Sequence, residues 1–305
     1  MLSRVADSVF WMARYLERTD NVLRLLRTDY IASQDEILNF DWQSVTDTLS
    51  TKSETPIVVT SYREALYHLV LNKDHDASVF TNIVRVRENA RSVQDYITKE
   101  LWQCLNDYYH IVRDPHTEDL LLQQDPVTAL DMLLRESIIF YGTVEVTMNR
   151  GDGYTFLNLG KYIERSLQSL DLLEMKWDVA DEVTEPVSWK YLLYALSGFE
   201  FHTKFYKNAL QTEDVIHQVL FNNQFPHSVS YSLSQIDRYF QRLKETSLAD
   251  NFKEMEFFAG KLVKDIQYNT VNRKDSVAVR ELINSTRNQI LNFSHKLTTL
   301  YFGYT

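Results

Sequence analysis

The apolar positions of this chain recur at helical spacing. Between Ser78 and Ile111, the residues Ile83, Val86, Ala90, Val93, Ile97, Leu101, Cys104, Tyr108 and Ile111 follow one another at steps of three or four. That period keeps side chains on one face of an α-helix. Near the C-terminus Val279, Leu282, Thr286, Ile290, Phe293, Leu297 and Leu300 repeat the pattern. Helix starts are marked as well. Ser33-x-x-Glu36 and Ser61-x-x-Glu64 have the form of capping boxes. Asp125-Pro126 sets a capping residue before a proline at the first helical position, where the missing N–H does no harm. The segment 149–153, NRGDG, is expected to end one helix before another begins. Strand character is confined to Pro56–Thr60, too short to make a sheet. The pattern predicts an all-α fold.

Two helices carry the same signature. MARYLERTDN, residues 12–21, and LGKYIERSLQ, residues 159–168, each run small, basic, aromatic, aliphatic, Glu-Arg. Adjacent helical residues point about 100° apart, so the Glu and Arg of each pair serve different faces. In the first helix Val5, Met12, Leu16, Leu23 and Leu26 form one stripe. Trp11, Tyr15, Arg18 and Val22 form a second, and Phe10, Ala13, Glu17 and Asn21 a third. A helix apolar around most of its girth belongs at the centre of a bundle. Glu17, Arg18, Glu164 and Arg165 are then expected to be partly buried and paired, because a bare buried ion is unfavourable by several kcal/mol. Arg14 and Lys161, one turn before each Glu, can reach it. Ala13 and Gly160 leave room for a neighbouring helix. Two uses fit these residues: an ion-pair network fixing how helices cross, or a carboxylate–guanidinium lining of a polar pocket.

The Glu-Arg pairs are 147 positions apart, and that offset also carries Tyr15 to Tyr162, Leu23 to Leu170, Leu26 to Leu173 and Trp42 to Trp189. Further on it drifts to 149 and 150, matching His68 with His217 and Ser78-Val79 with Ser228-Val229. The expected organisation is an internally duplicated helical bundle of two pseudo-repeats, 1–148 and 149–305, packed as two bundles or as halves of one.

RVRENAR, residues 85–91, holds a further constellation: Arg87 and Arg91 one turn apart, with Glu88 and Asn89 between them. Paired guanidiniums suit bidentate recognition of phosphate or carboxylate, and a solvated charged helix face is the plainer use. Glycine (7) and proline (5) are scarce among 305 residues, which argues against a turn-rich β protein. The net charge of −10 disfavours nucleic acid and anionic membrane as partners. A single cysteine, Cys104, forms no internal disulfide and suits a reducing, cytoplasmic setting. Cys104 lies on an apolar stripe and reads as an inert thiol. No Glu-x-x-His, zinc-ligand spacing, Walker motif or nucleophile elbow occurs, so no metal or cofactor is expected and no catalytic constellation is recognisable.

MLSRVADSVFWMARYLERTDN at the start, RVRENARSVQDYITKELW at 85–102 and MNRGDGYTFLNLGKYIERS at 148–166 together resemble the alpha-E family, a bacterial all-helical family named for its Glu-Arg motif. The resemblance covers essentially the whole chain. It implies motif residues Glu17, Arg18, Arg87, Glu88, Asn89, Arg91, Glu164 and Arg165. Genes of that family typically sit beside a circularly permuted ATP-grasp protein, often with a transglutaminase-like protein and sometimes a proteasome-like peptidase. The resemblance therefore implies an accessory subunit of a system that forms or modifies peptide or amide bonds, with the ligase or its peptide as partner. An enzyme of that system using a Glu/Arg pocket and a purely structural scaffold are the alternatives. Tyr154 stands where the family usually has tryptophan, and His227 follows Pro226 where it usually has arginine, which weakens any anion-binding role for that loop.

Overall fold

A computed structural model describes residues 3–34, 41–50, 57–179, 185–207, 210–246 and 249–303. Among them all regular structure is helical. The chain divides into two compact units: Trp11–Asn149, and Arg150 onward together with the chain up to Phe10.

The Trp11–Asn149 unit contains α1 (Ser3–Ala32) from Trp11 onward, then α2 (Trp42–Leu49), α3 (Tyr62–Leu66), α4 (Val79–Ser92), α5 (Lys99–Arg113), α6 (Pro115–Asp119) and α7 (Pro126–Thr147). Starts are set locally. Asp41 accepts the N–H groups of Gln43 and Ser44. Ser61 and Glu64 form the reciprocal capping box. Asp125 accepts from Val127 N–H, with Pro126 at the first helical position. Each such cap contributes about 0.5–2 kcal/mol. α4 packs on α5 and α5 on α7. An Arg27–Asp131 ion pair ties α7 to α1, and the Arg85 guanidinium over Tyr15, 5.6 Å from the ring centre, ties α1 to α4. Leu16, Leu23, Leu26, Ile83, Val86, Leu101, Tyr108, Leu130 and Phe140 fill the space inside this ring of four helices.

The other unit contains α8 (Asp152–Val179), α9 (Glu185–Ala195), α10 (Phe199–Phe205), α11 (Thr212–Ile216), α12 (Val229–Gln241), α13 (Ala249–Gln267) and α14 (Ser276–Phe302). Here α8 packs on α12, α12 on α13, α13 on α14 and α14 back on α8. Arg287 of α14 grips α8 through Asp171 at 3.0 Å and Glu174 at 2.5 Å. Inside, Phe240 stacks on Phe252 and meets Phe293 edge-on.

The elements of the two units keep step. α3 and α11 begin and end 150 positions apart, and each runs into a five-residue π turn, Tyr67–Leu71 and His217–Phe221. The turns close identically: Asn72 N–H donates to the Tyr67 carbonyl at 2.9 Å and Asn222 N–H to the His217 carbonyl at 3.0 Å. Ser78 and Ser228 then cap α4 and α12. At an offset of 150 positions, Tyr67 is matched in the chain by His217 and His68 by Gln218. The His68–His217 match read from sequence is thus one position out of step.

Three further readings from the sequence meet the structure here. The stripe from Ser78 to Ile111 is not one helix. α4 stops at Ser92, a 3-10 turn covers Gln94–Tyr96, and α5 starts after Thr98, whose side chain takes the Leu101 N–H. The chain folds back there, with Ile97 extended at φ −113°, ψ 166°. The apolar period survives because α4 and α5 face the same core, with Val93 and Ile97 buried between them. Ser33 closes α1, its N–H donating to Asp29 O and its hydroxyl to Tyr30 O; the capping box read over Ser33–Glu36 lies in part outside the described residues. Residues 57–60 form no strand; Val59 N–H is taken by the Gln43 side chain at 2.8 Å, and Pro56 is outside the described set.

Gly160 of α8 is required by close approach: a Cβ there would lie 2.4 Å from the Phe10 carbonyl oxygen, a backbone atom. Gly142 of α7 has nothing within 4 Å of the same position. Gly160→Ala is expected to destabilise the protein by about 1–3 kcal/mol through overpacking. Gly142→Ala is expected to stabilise it by about 0.5–1 kcal/mol. Urea denaturation of both variants checks the pair of signs.

Candidate functional site

In the Trp11–Asn149 unit the Glu-Arg helix is layered. Glu17 is 2 % exposed and Arg14 7 %, while Arg18 is half-buried. Residues 11, 14, 15 and 18 follow one another at steps of one, three or four, so their side chains stack along one side of the helix. Arg14 lies 4.8 Å over the Trp11 ring. Arg18 lies 5.9 Å from Trp11 and 5.5 Å from Tyr15. Arg85 approaches Tyr15 from α4 and is held by Asp76, at 2.6 Å to the carboxylate and 2.8 Å to the carbonyl. Each cation on a ring face contributes about 0.5–1 kcal/mol, more when desolvated. Asn21 is half-buried on the same helix. Arg14, Glu17, Arg18, Lys161, Glu164 and Arg165 are all engaged by hydrogen-bond, ionic or ring partners.

RVRENAR does not converge on one site. Arg87 turns to α5: its Nε donates to Asn106 Oδ1 at 3.0 Å, and its guanidinium sits 4.5 Å over Tyr109 and 5.5 Å over Trp102. Arg91 is exposed and 3.8 Å from an exposed Glu88; Asn89 is half-buried. The residue of this segment that joins the Glu-Arg helix is Arg85. Two positions separate it from Arg87, about 200° around the helix, so the two cannot share a face.

In the second unit Glu164 and Arg165 are 5 % and 9 % exposed. Arg165 and Lys161 lie 5.6 and 5.5 Å over Tyr162. Tyr162 stacks on Tyr239 and meets Tyr231 edge-on. The Tyr154 and Tyr239 hydroxyls are 3.3 Å apart. Arg150 covers Tyr154, and Arg242 covers Tyr239. Burial pushes the Tyr162 phenol far up, and Arg165 opposes this only in part, so the ring stays protonated. The tyrosine at 154 therefore keeps an aromatic in place and adds a hydrogen bond. Reading from sequence passed over this tyrosine cluster; the available signal was Tyr231 and Tyr239, eight positions and about two turns apart on α12. His227 is half-buried, and its carbonyl accepts the Ser169 hydroxyl at 2.7 Å.

A second polar group in this unit was also missed. Asn222 Nδ2 donates to the Tyr206 hydroxyl oxygen at 3.0 Å, and Tyr206 is 2.6 Å from His217 Nδ1. With its oxygen accepting from Asn222, the Tyr206 hydroxyl is placed to donate to an unprotonated His217 Nδ1, the arrangement that suits a neutral imidazole. Burial, then the nearby Arg273 charge, hold His217 below the ordinary imidazole value, and burial raises Tyr206. Two open clefts in the unit, of about 490 and 520 Å³, are lined by other residues: Trp177, Thr212, Arg273 and Lys274 in one, Glu254, His295 and Lys296 in the other. Cys104 is buried, and desolvation with the nearby Glu136 pushes its thiol up to about 11. Glu64 is spent on its cap, while His68 packs on His75 with ring centres 4.1 Å apart. Among the described residues no group of three or more His, Cys, Asp or Glu is placed to hold a metal ion.

Residues 1–302 match the Alpha-E family, described as "a predicted alpha-helical domain with a conserved ER motif". Uncharacterised proteins of Mycobacterium bovis and Mycobacterium tuberculosis are each 24% identical over 260 residues, covering 76% of this chain and 29% of their own length. The chain thus spans less than a third of these curated relatives. No solved structure matches it.

Because the folded state disfavours the His217 proton, the unfolded chain binds more protons below its ordinary pKa of about 6.5, and stability falls as pH drops through that value. Urea denaturation between about pH 5 and 8 is expected to show this loss in the wild type and to show less of it in His217→Gln. Equal slopes would remove His217 as its source.

Proposed function

We propose that this chain, which belongs to the Alpha-E family, is an accessory subunit that docks an ATP-grasp-type ligase or presents its peptide substrate, in the bacterial cytoplasm. The observation that carries this reading is the state of the Glu-Arg residues. Glu17, Glu164 and Arg165 are packed into helix cores and engaged, as in a rigid binding body rather than an open reaction chamber. The relatives add support: the matched region is under a third of each, so in them it is carried alongside other protein. A transglutaminase-like protein is the second expected partner. No described helix is long and apolar enough to cross a membrane.

We propose also that the two units descend from a duplication. The equal spacing of α3 and α11, their matched π turns and the shared serine caps support it. So does the common ring order, α1–α4–α5–α7 beside α8–α12–α13–α14.

A second reading, a Glu/Arg-lined anion site of an enzyme, is favoured by one feature: Arg18 and Arg85 are half-buried, not sealed, and both lie over Tyr15. The two readings separate by experiment. Co-expression with an ATP-grasp-type ligase of the same organism is expected to give a complex with Kd of about 1–10 µM or tighter, and Arg85→Ala is expected to leave it intact. No complex at that concentration contradicts the accessory role. A complex lost only with Arg85→Ala moves the function to the Tyr15 cluster.

A further inference from the structure

α7 presents two unlike faces. Ala129, Leu130, Leu133, Ser137, Phe140 and Val144 are buried in its own unit. The opposite face, where a surface helix ordinarily carries charge, holds Ile138 at 68 % exposure, Ile139 at 44 % and Val146 at 85 %. Exposed Gly142 sits among them with open space where a Cβ would be. Exposed Arg135 and Glu145 flank the patch, one at each end. The stripe Arg135, Ile138, Gly142, Glu145 steps by three and four, so it is one continuous seam.

We propose that this seam binds the same seam of a second copy of the chain, α7 against α7, antiparallel about a two-fold axis. The register follows from charge. Antiparallel helices crossing level with residue 140 bring Arg135 opposite Glu145 of the second copy and Ile138 opposite its Gly142. The symmetry repeats both contacts. Each isoleucine then fills the notch that the facing glycine leaves, and each end closes with an opposite-charge pair. Crossing level with residue 142 instead sets Ile139 against a carboxylate and brings no acidic residue of the second copy opposite Arg135, so the first register wins. Arg135 to Glu145 spans about 15 Å of helix. A seam that short makes a small interface, and the dimer is correspondingly weak, with Kd of roughly 10–100 µM. This proposal is independent of the ligase reading.

Sedimentation velocity of the full chain across that range tests it. A concentration-dependent monomer–dimer equilibrium is expected for the wild type. Arg135→Glu and Glu145→Arg should each weaken it at least tenfold, and the two together should restore it. Gly142→Leu should weaken it as much while leaving the fold intact by circular dichroism. A wild type that stays monomeric throughout overturns the proposal, whatever else binds the seam. So does a dimer indifferent to the charge swap.

Discussion

A carboxylate or guanidinium held inside a helix bundle is unfavourable by several kcal/mol unless its charge is met there. This chain accepts that demand twice. Glu17 is 2 % exposed and Glu164 5 %, each on one of the chain's two Glu-Arg helices. The shared answer is to surround the Glu-Arg segment with aromatic faces and further cations. A helix so equipped must sit in the middle of its neighbours. That placement dictates the ring of four helices, the apolar stripes on every other side and the glycine at 160 where α8 meets the Phe10 backbone.

The two units reach the same end by different chemistry. One layers Trp11 and Tyr15 with Arg14, Arg18 and Arg85. The other gathers Tyr154, Tyr162, Tyr231 and Tyr239 beneath Arg150, Arg165 and Arg242. The ion pairs that brace the central helices are reversed in sign. Arg27 on α1 pairs with Asp131 on α7, whereas α8 supplies Asp171 and Glu174 and α14 supplies Arg287. The architecture therefore asks for neutralisation across the helix contact and is indifferent to which side carries which charge. Neutral Tyr206 and His217, and the protonated thiol of Cys104, follow from the same dislike of uncompensated charge in the interior.

What could be read from the sequence was what is local. The stripe of α1, most of that of α14 and the caps at Ser61 and Asp125 depend on residues a turn or two apart, and they stand where their spacing put them, with Ile283 buried in place of Leu282. The break at Val93–Thr98 was hidden because a folded-back pair of helices keeps the same apolar period when both face one core. Arg85 and the tyrosine cluster were hidden for another reason. Their partners, Tyr15 and Tyr162, lie about 70 positions away in sequence, and only the helix packing brings them together. The π turns at Tyr67 and His217 carry no composition signal at all.

The function proposed for this fold rests on the charged residues being internal and engaged, so the most direct measurement compares a buried with an exposed glutamate. Glu164→Gln and Glu88→Gln remove the same charge from 5 % exposed and solvent-exposed positions. In urea denaturation Glu164→Gln is expected to lose about 2 kcal/mol or more, because it breaks the engagement of a charged side chain packed inside the helix core. Glu88→Gln is expected to stay within about 0.5 kcal/mol of the wild type. Equal, small losses would contradict the claim that the Glu-Arg segment is the internal brace of its unit.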